Sequence, residues 1–375
     1  MDREIEYDVG IIGAGIAGSS LAICLALKGF KVVVIDQDSF PRHKVCGEFV
    51  SNESIQFFED VGIKMSDHKL PEIEHVKLTS QNGRTLRTPL KMGGLGISRY
   101  LLDQLLIERM LELKVEVHQQ MKVHRVTENT IQTASNRFDC KLIVGAFGKY
   151  RPSFAVKPER RALKNFIGVK YHIKPSADFH LPTDEISLHS FKQGYCGISK
   201  IEDDKYCLCY LVDAKQLVKH GNNIETMERA ILHSNPELAN IFDNIHHMYD
   251  NPLVISNIKF NKQATYSRKK GMVYLGDAAG SISPLSGNGM SMAARSANEL
   301  AKIISHHGLN AEDIHPDYDR FWNKHLGGRV NKAKYLNLLM LNPSLNHFTL
   351  KILSSQKWLR NQVIHSMQGK TFGLG

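Results

Sequence analysis

No run of apolar residues in this sequence approaches the ~18 to 20 that a membrane-crossing helix needs. No Cys-x-x-Cys pair occurs among the six cysteines, Cys24, Cys46, Cys140, Cys196, Cys207 and Cys209. Cys207 and Cys209 are too close together and too isolated for an ordinary zinc site. The adjacent His246 and His247 would not share one helix face, so no metal is expected. Cysteines scattered through apolar and strand-like runs fit a reducing compartment. The opening stretch MDREIEYDVG lacks a basic n-region, so no signal peptide is expected. The expected location is cytoplasmic, with peripheral attachment to a membrane as the alternative. Acidic residues are also short: 38 against 48 basic ones, a net charge of +10. That balance favours anionic partners such as membrane surfaces, phosphorylated cofactors or acidic proteins. No motif that reads RNA or DNA accompanies it, so nucleic acid is not an expected partner. What is present, 42% hydrophobic and 23% charged residues over 375 positions, is globular and long enough for more than one domain.

The first informative stretch is YDVGIIGAGIAGSSLAICLALKGFKVVVID, residues 7 to 36. A short apolar strand, Val9 to Ile12, runs into Gly13-Ala14-Gly15-Ile16-Ala17-Gly18. A helix follows, ending near Gly29, and a second strand, Lys31 to Ile35, ends at Asp36. Gly13 permits the tight turn, Gly15 lets backbone approach a pyrophosphate at the helix N-terminus, and Gly18 lets helix and strand pack closely. Asp36 is placed to accept a ribose hydroxyl. Strand, turn, helix, strand and acid in this order predict a dinucleotide site, with Ala14, Ala17 and Gln37 counted in it. The motif alone does not choose between FAD and NAD.

A second signal lies at Met272 to Met290: a strand, Gly276-Asp277, small residues, then Pro284-Leu285-Ser286-Gly287-Asn288-Gly289 opening a helix. A third is Arg99-Tyr100-Leu101-Leu102-Asp103-Gln104-Leu105-Leu106. Together the three resemble the FAD fingerprints of the superfamily that holds aromatic hydroxylases, flavin-dependent halogenases and geranylgeranyl reductases. The resemblance runs from about residue 7 to about residue 330. It implies that Asp277 binds ribityl or ribose hydroxyls, and that the Pro284 to Gly289 turn aims backbone N–H groups at the flavin, where a helix N-terminus stabilises negative charge. It also implies FAD contacts from Arg99 and, beside adenine, from Val123 after the strand pair starting at Val115.

The sequence departs from the hydroxylase pattern at Gly145-Ala146-Phe147-Gly148, where Phe147 stands in place of an aspartate; Gly145 and Gly148 still permit close backbone approach. Gly280 replaces a histidine common in hydroxylases. Both features, and Pro41-Arg42-x-Lys44-x-Cys46-Gly47, look more like the geranylgeranyl reductase branch. The halogenase branch is disfavoured: it carries a Trp-x-Trp-x-Ile-Pro motif, whereas Trp322 and Trp358 lie in C-terminal helical sequence.

The expected fold is α/β: a Rossmann-like FAD domain of the glutathione reductase type, an inserted antiparallel substrate sheet and a C-terminal helical region. The FAD domain takes residues 1–75, 96–165 and 261–305, the substrate domain 76–95 and 166–260, and the helical region 306–375. Alternating runs at 166 to 212 and turns at Gln81-Asn82-Gly83 and Glu202-Asp203-Asp204 predict the inserted sheet. Residues 222 to 247 predict amphipathic helix, broken at Asn235-Pro236. Tyr195 and Cys196 are candidate pocket residues, with plain sheet core as the alternative. In the tail, Tyr318, Trp322 and Leu326 form an apolar stripe. From Arg320 to Gly375 there are nine Lys or Arg and no Asp or Glu, which suits either a membrane surface or an acidic carrier protein, or else a solvated basic face over core.

The resemblance implies a flavoprotein oxidoreductase acting on a hydrophobic or acyl-carrier-bound small molecule. The leading expectation is reductase- or dehydrogenase-like hydride transfer at flavin N5, with NADPH, NADH or another donor supplying electrons. The alternatives are a monooxygenase acting on an aromatic or polyketide-like substrate, and a non-catalytic flavin-binding protein. In the loop FPRHKVCGEFVS, the resemblance implies that Arg42 contacts FAD, that Gly47 lies under the isoalloxazine, and that Cys46 is a pocket thiol donating a proton or hydrogen bond beside N5, with an ordinary packed core thiol as the alternative for Cys46.

Overall fold

The computed structural model describes residues 6–155, 165–258, 260 and 262–374. Two sheets organise them. The first has a parallel core of β1 (Tyr7–Ile12), β2 (Val32–Ile35), β6 (Glu116–His118), β9 (Arg137–Gly145) and β17 (Met272–Tyr274), in the order β17-β9-β1-β2-β6. The short antiparallel strand β16 (Tyr266–Ser267) extends one edge, and the hairpin β7 (Arg125–Val126) and β8 (Thr130–Gln132) hangs from β9. Val32 to Ile35 is an unbroken apolar run because this sheet is covered on both faces. Helices α1 (Ile16–Leu27), α2 (Ile55–Asp60), α3 (Arg99–Glu112), α7 (Gly289–His307) and α8 (Ala311–Phe321) supply the cover, and their apolar faces join the sheet in one core. The expected strand pair at Val115 to Val123 is one strand, β6; Val123 lies buried in the loop after it.

The second sheet contains β3 (Phe49–Ser51), β4 (Glu72–Thr79), β5 (Thr85–Gly96), β10 (Phe166–Pro175), β11 (Glu185–Phe191), β12 (Gly194–Lys200), β13 (Tyr206–Asp213), β14 (Ile245–His247) and β15 (Leu253–Ile258). Its order is β14-β10-β13-β12-β11-β4-β5-β3, with β15 also on β10; every pairing is antiparallel except β4 with β11. Both turns read from sequence close hairpins. Gly83 (φ 76°) lies between β4 and β5, and Asp203 and Asp204 (φ 56° and 55°) between β12 and β13, the left-handed pair that a tight hairpin requires. This sheet begins earlier than expected, since Phe49–Ser51 and Glu72–Thr79 belong to it.

The period of two divides β10, β12 and β13 into unlike faces. Ile167, Val169, Tyr171, Ile173, Cys196, Ile198, Leu208 and Tyr210 pack under α5 (Ile224–Ile231) and α6 (Pro236–Asp243). The opposite face turns to the first sheet. The amphipathic stretch is shorter than expected: α4 (Ala214–Lys219), α5 and α6 end before β14. Asn235 caps α6, accepting from the N–H groups of Glu237 and Leu238, with Pro236 in the first turn. His246 and His247 therefore sit on a strand; His247 stacks on Tyr171 at 4.2 Å and His246 meets Ser176.

In the tail, Tyr318, Trp322 and Leu326 are buried in the core of the first sheet. Helices α9 (Gly328–Leu341), α10 (Pro343–Ser355) and α11 (Lys357–Met367) then lie over the second sheet, α9 on β11 and β12, α10 on β5 and β11, and α11 on β5. Residues beyond α11 return to α2 and α7. Phe372 stacks on Phe57 and its N–H donates to the Glu53 carbonyl. Asn298 donates to the Gly373 carbonyl, and the Leu374 N–H to Asp60.

Candidate active site

The Gly-rich turn has the geometry its glycines imply. Gly13 has φ 110°, and a Cβ there would lie 2.5 Å from the Ala146 carbonyl oxygen. A Cβ on Gly18 would lie 1.9 Å from the Gly13 carbonyl oxygen, so helix and turn touch backbone to backbone. A Cβ on Gly15 would meet only the Lys44 ammonium, at 3.6 Å, which leaves an open concavity at the start of α1. Ala14 donates its N–H to Asp36 at 2.7 Å, tying the acid to the turn, while Gln37 is exposed beside it. Arg42 pairs with Asp36 at 3.4 Å and with Asp38, over the ring of Phe40.

The second fingerprint packs on the first. Gly276 (φ 62°) would place a Cβ 2.7 Å from that of Ala17. Asp277 is half-buried and has no hydrogen bond or ion pair to the described residues, so its carboxylate is free for a hydroxyl-bearing ligand. Pro284–Ser286 forms a 3-10 turn closed by Gly287 (φ 63°), and Asn288 and Gly289 lead into α7. Gly280 is glycine for a packing reason: a Cβ would lie 2.4 Å from the Trp322 indole. Gly145 is likewise filled from within, since its Cβ would lie 2.6 Å from the Phe147 ring, which packs edge-on against Tyr274 and Phe154. Gly148 (φ 74°) faces open space. Arg99 turns inward to a bidentate pair with Asp103 on α3, whose first turn Ser98 caps.

Residues 44 to 48 connect the two sheets. Lys170 on β10 donates to the Lys44 carbonyl at 3.2 Å, Cys207 on β13 to the Cys46 carbonyl at 3.2 Å, and Ser199 on β12 to the Gly47 carbonyl at 3.3 Å. Three adjacent strands thus each hold one carbonyl of the loop. Gly47 is left with nothing within 4 Å of where a Cβ would be. The next residue, Glu48, is fully buried and left-handed (φ 54°). Its carboxylate accepts from Lys170 Nζ, from His172 Nε2 at 2.7 Å and from the Arg99 N–H at 2.7 Å. Four anchors of this kind hold a backbone conformation that is costly for a non-glycine residue; the fourth is the Ile97 N–H on its carbonyl.

Burial pushes the Glu48 carboxyl up, but the His172 hydrogen bond and the Lys170 charge outweigh it and hold it at about 2. Burial works against the Lys170 ammonium, and the Glu48 charge reverses that, leaving its pKa raised. Lys44 has no such carboxylate; burial, reinforced by the Arg99 charge, lowers it to about 8. Burial also raises the Cys207 thiol well above its ordinary range and Cys209 to about 12, so both remain protonated near neutrality. Cys46 is half-buried, its sulfur accepting from the Glu48 N–H at 3.5 Å. His43 lies edge-on to His172, between the rings of Tyr100 and Tyr249 at the surface.

Of the two candidate pocket residues, Tyr195 faces the Pro284 to Ser286 turn and packs near Leu285. Cys196, its neighbour on β12, points the other way into the helix-covered core, because adjacent strand residues take opposite faces. Sequence reasoning missed Glu48, Lys170 and His172. The available signal was a pair of cationic residues two apart, Lys170 and His172, inside the otherwise apolar run FIGVKYHI.

A family model described as an FAD binding domain matches residues 6–151. Digeranylgeranylglycerophospholipid reductase 1 of Methanococcoides burtonii is 25% identical over 87% of this chain and 81% of that protein. These matches fit the FAD-dependent oxidoreductase superfamily. Further relatives are conditioned medium factor receptor 1 of Dictyostelium discoideum (24% identical, 90% of this chain and 72% of that one) and a 1H-pyrrole-2-carbonyl-[peptidyl-carrier protein] brominase of Pseudoalteromonas luteoviolacea (23%, 98% and 93%). Among solved structures, the flavin-dependent brominase Bmp2 superposes with a TM-score of 0.81 at 20% identity, over 96% of this chain and 93% of that one. That likeness is one of fold, and it places the two sheets and C-terminal helices in a known architecture. The relatives thus include reductases and halogenases alike, and the Trp-x-Trp-x-Ile-Pro motif is absent from this sequence.

Proposed function

We propose that this flavoenzyme is a reductase or dehydrogenase that moves hydride at flavin N5 to or from a carbon–carbon bond of a hydrophobic or carrier-bound substrate. The observation that carries the reading is the loop at residues 44 to 48, fixed by β10, β12 and β13 so that Gly47 faces open space beside protonated thiols. Bound FAD would supply the two-electron chemistry. The chain's residues would do the rest. The Gly13 to Gly18 turn and Lys44 receive the pyrophosphate, Asp36 and Asp277 the hydroxyls, and Arg42 and Arg99 add positive charge. The Pro284 to Gly289 turn faces the redox end, where backbone N–H groups stabilise charge. Cys46 lies on the Gly47 side, placed to donate a hydrogen bond or proton, and Tyr195 covers the substrate side.

Two relatives, a lipid reductase and a brominase of a carrier-bound pyrrole, support a substrate that is apolar or delivered on a carrier. Phe147 and Gly280, both committed to internal packing, favour the reductase reading over hydroxylation. The domain division proposed here is the one expected from sequence, with the second sheet extended to Phe49–Ser51 and Glu72–Thr79.

The test begins with colour. Purified protein should carry FAD and absorb as oxidised flavin; a colourless protein that does not take up FAD sinks the assignment. The reduced protein is then mixed rapidly with oxygen. A return of the oxidised spectrum in one step supports the reductase, and a lagged two-step return would replace it with the monooxygenase. A screen of polyprenyl and polyketide-like substrates identifies the acceptor.

A further inference from the structure

Helices α9, α10 and α11 each pack one face against the second sheet, over strands β12, β11 and β5. Their opposite faces therefore look out on the same side. Those faces are not ordinary solvent surface. Tyr335 and Leu338 stand one turn apart on α9, Leu345 and Phe348 one turn apart on α10, and Trp358 opens α11. Tyr335 is 69% exposed, Phe348 60% and Trp358 73%. Interleaved with them are exposed Lys332, Lys334, Lys351 and Lys357, and from Arg320 onward the sequence offers no acidic side chain. Among the described residues no helix is long and apolar enough to cross a membrane.

We propose that this three-helix surface docks on an anionic lipid bilayer, lying in the plane of the interface. Large apolar and aromatic groups enter the headgroup boundary while the lysines reach phosphates, the pattern of an interfacial helix. An acidic carrier protein would be met by the same charges, but it would not need five large apolar side chains held out in water. Lipid is the better match because both halves of the pattern are then used. The same layer of helices packs on the sheet that carries Tyr195, and α9 touches the Pro284 to Ser286 turn, so the docked surface adjoins the site. The inference stands whichever redox reaction that site performs.

The two tryptophans make the experiment selective. Trp322 is 1% exposed and Trp358 is 73% exposed, so a change in emission on binding reports Trp358. Full-length FAD-loaded protein is sedimented with vesicles of phosphatidylcholine alone or with one third phosphatidylglycerol. The expected result is binding to the anionic vesicles with a blue shift in emission, weakened by salt. Each lysine near the surface contributes about fivefold. The variant K332E/K334E/K351E/K357E should therefore bind at least ~tenfold more weakly, with its FAD content and circular dichroism unchanged. Phe348→Asp should weaken binding independently of charge. Equal partition into neutral and anionic vesicles, or binding without a shift at Trp358, would overturn the proposal. So would capture by an acidic acyl carrier protein with vesicles ignored. A protein that carries no FAD yet binds vesicles would sink the flavoenzyme reading and leave this surface standing.

Discussion

The two faces of β10, β12 and β13 come from the same strands yet hold buried carboxylates in opposite ways. On the face toward the first sheet, Glu48 is met by Lys170 and His172 and stays charged down to about pH 2. On the face under α5 and α6, Glu228 accepts from the phenols of Tyr171 and Tyr210, and burial raises its pKa. One carboxylate fixes a charged loop next to the cofactor site; the other closes a core with neutral hydrogen bonds. Burial alone does not set a carboxyl's character. The partner that crosses the sheet does.

The largest break in this contrast is Lys170→Met. Removing one partner of a buried pair leaves an uncompensated charge and costs ~3 to 5 kcal/mol, measured by denaturant unfolding. The double variant E48Q/K170M should recover much of that loss. Tyr210→Phe, which removes one neutral donor from Glu228, should cost only ~1 to 2 kcal/mol. Equal losses would mean that the two faces are energetically alike.

Acid sharpens the same comparison. Glu48 has a folded pKa below its ordinary 4.5, so its contribution is complete above about 4.5 and fades as pH falls toward about 2. Glu228 is shifted the other way, so the fold gains from its protonation as pH falls. The stability gap between wild type and E48Q should therefore narrow on acidification. E228Q should compare best with wild type near neutrality. Melting temperatures across pH 2 to 7 read both signs.

A smaller effect concerns Lys44, the cation above Gly15. With its pKa of about 8, the proposed contact of its ammonium with pyrophosphate predicts that FAD affinity declines as pH rises through 8. Lys44→Met should weaken FAD binding by roughly tenfold, the worth of one charge-assisted contact, and flatten the pH profile in a fluorescence titration. The smallest differences divide two cysteines. Cys196→Ala, on the core face, should cost about 1 kcal/mol of stability and leave FAD untouched. Cys46→Ala should leave stability and FAD affinity nearly unchanged but slow turnover; full turnover would return Cys46 to packing.

The legible parts of the molecule were those written locally. Gly13 to Gly18 with Asp36, the Gly276 to Gly289 segment, Asn235-Pro236 and both hairpin turns each carry their geometry within a few consecutive residues. The Glu48 cluster does not. Lys170 and His172 lie more than a hundred residues from Glu48 and meet it only because β10 lands opposite the loop. For the same reason Cys196 looked equivalent to Tyr195 until the pleat assigned them to opposite sides. The meaning of Gly280 also needed Trp322, forty-two residues on, to be in place.

The strap from Gly369 to Leu374 gives the molecule an order of assembly. Phe372 completes a groove between α2 and α7, which the first and last thirds of the chain build. A ribosome releases that ring only after everything it fastens. In the nascent chain Phe57 therefore stays uncovered until Phe372 has been made.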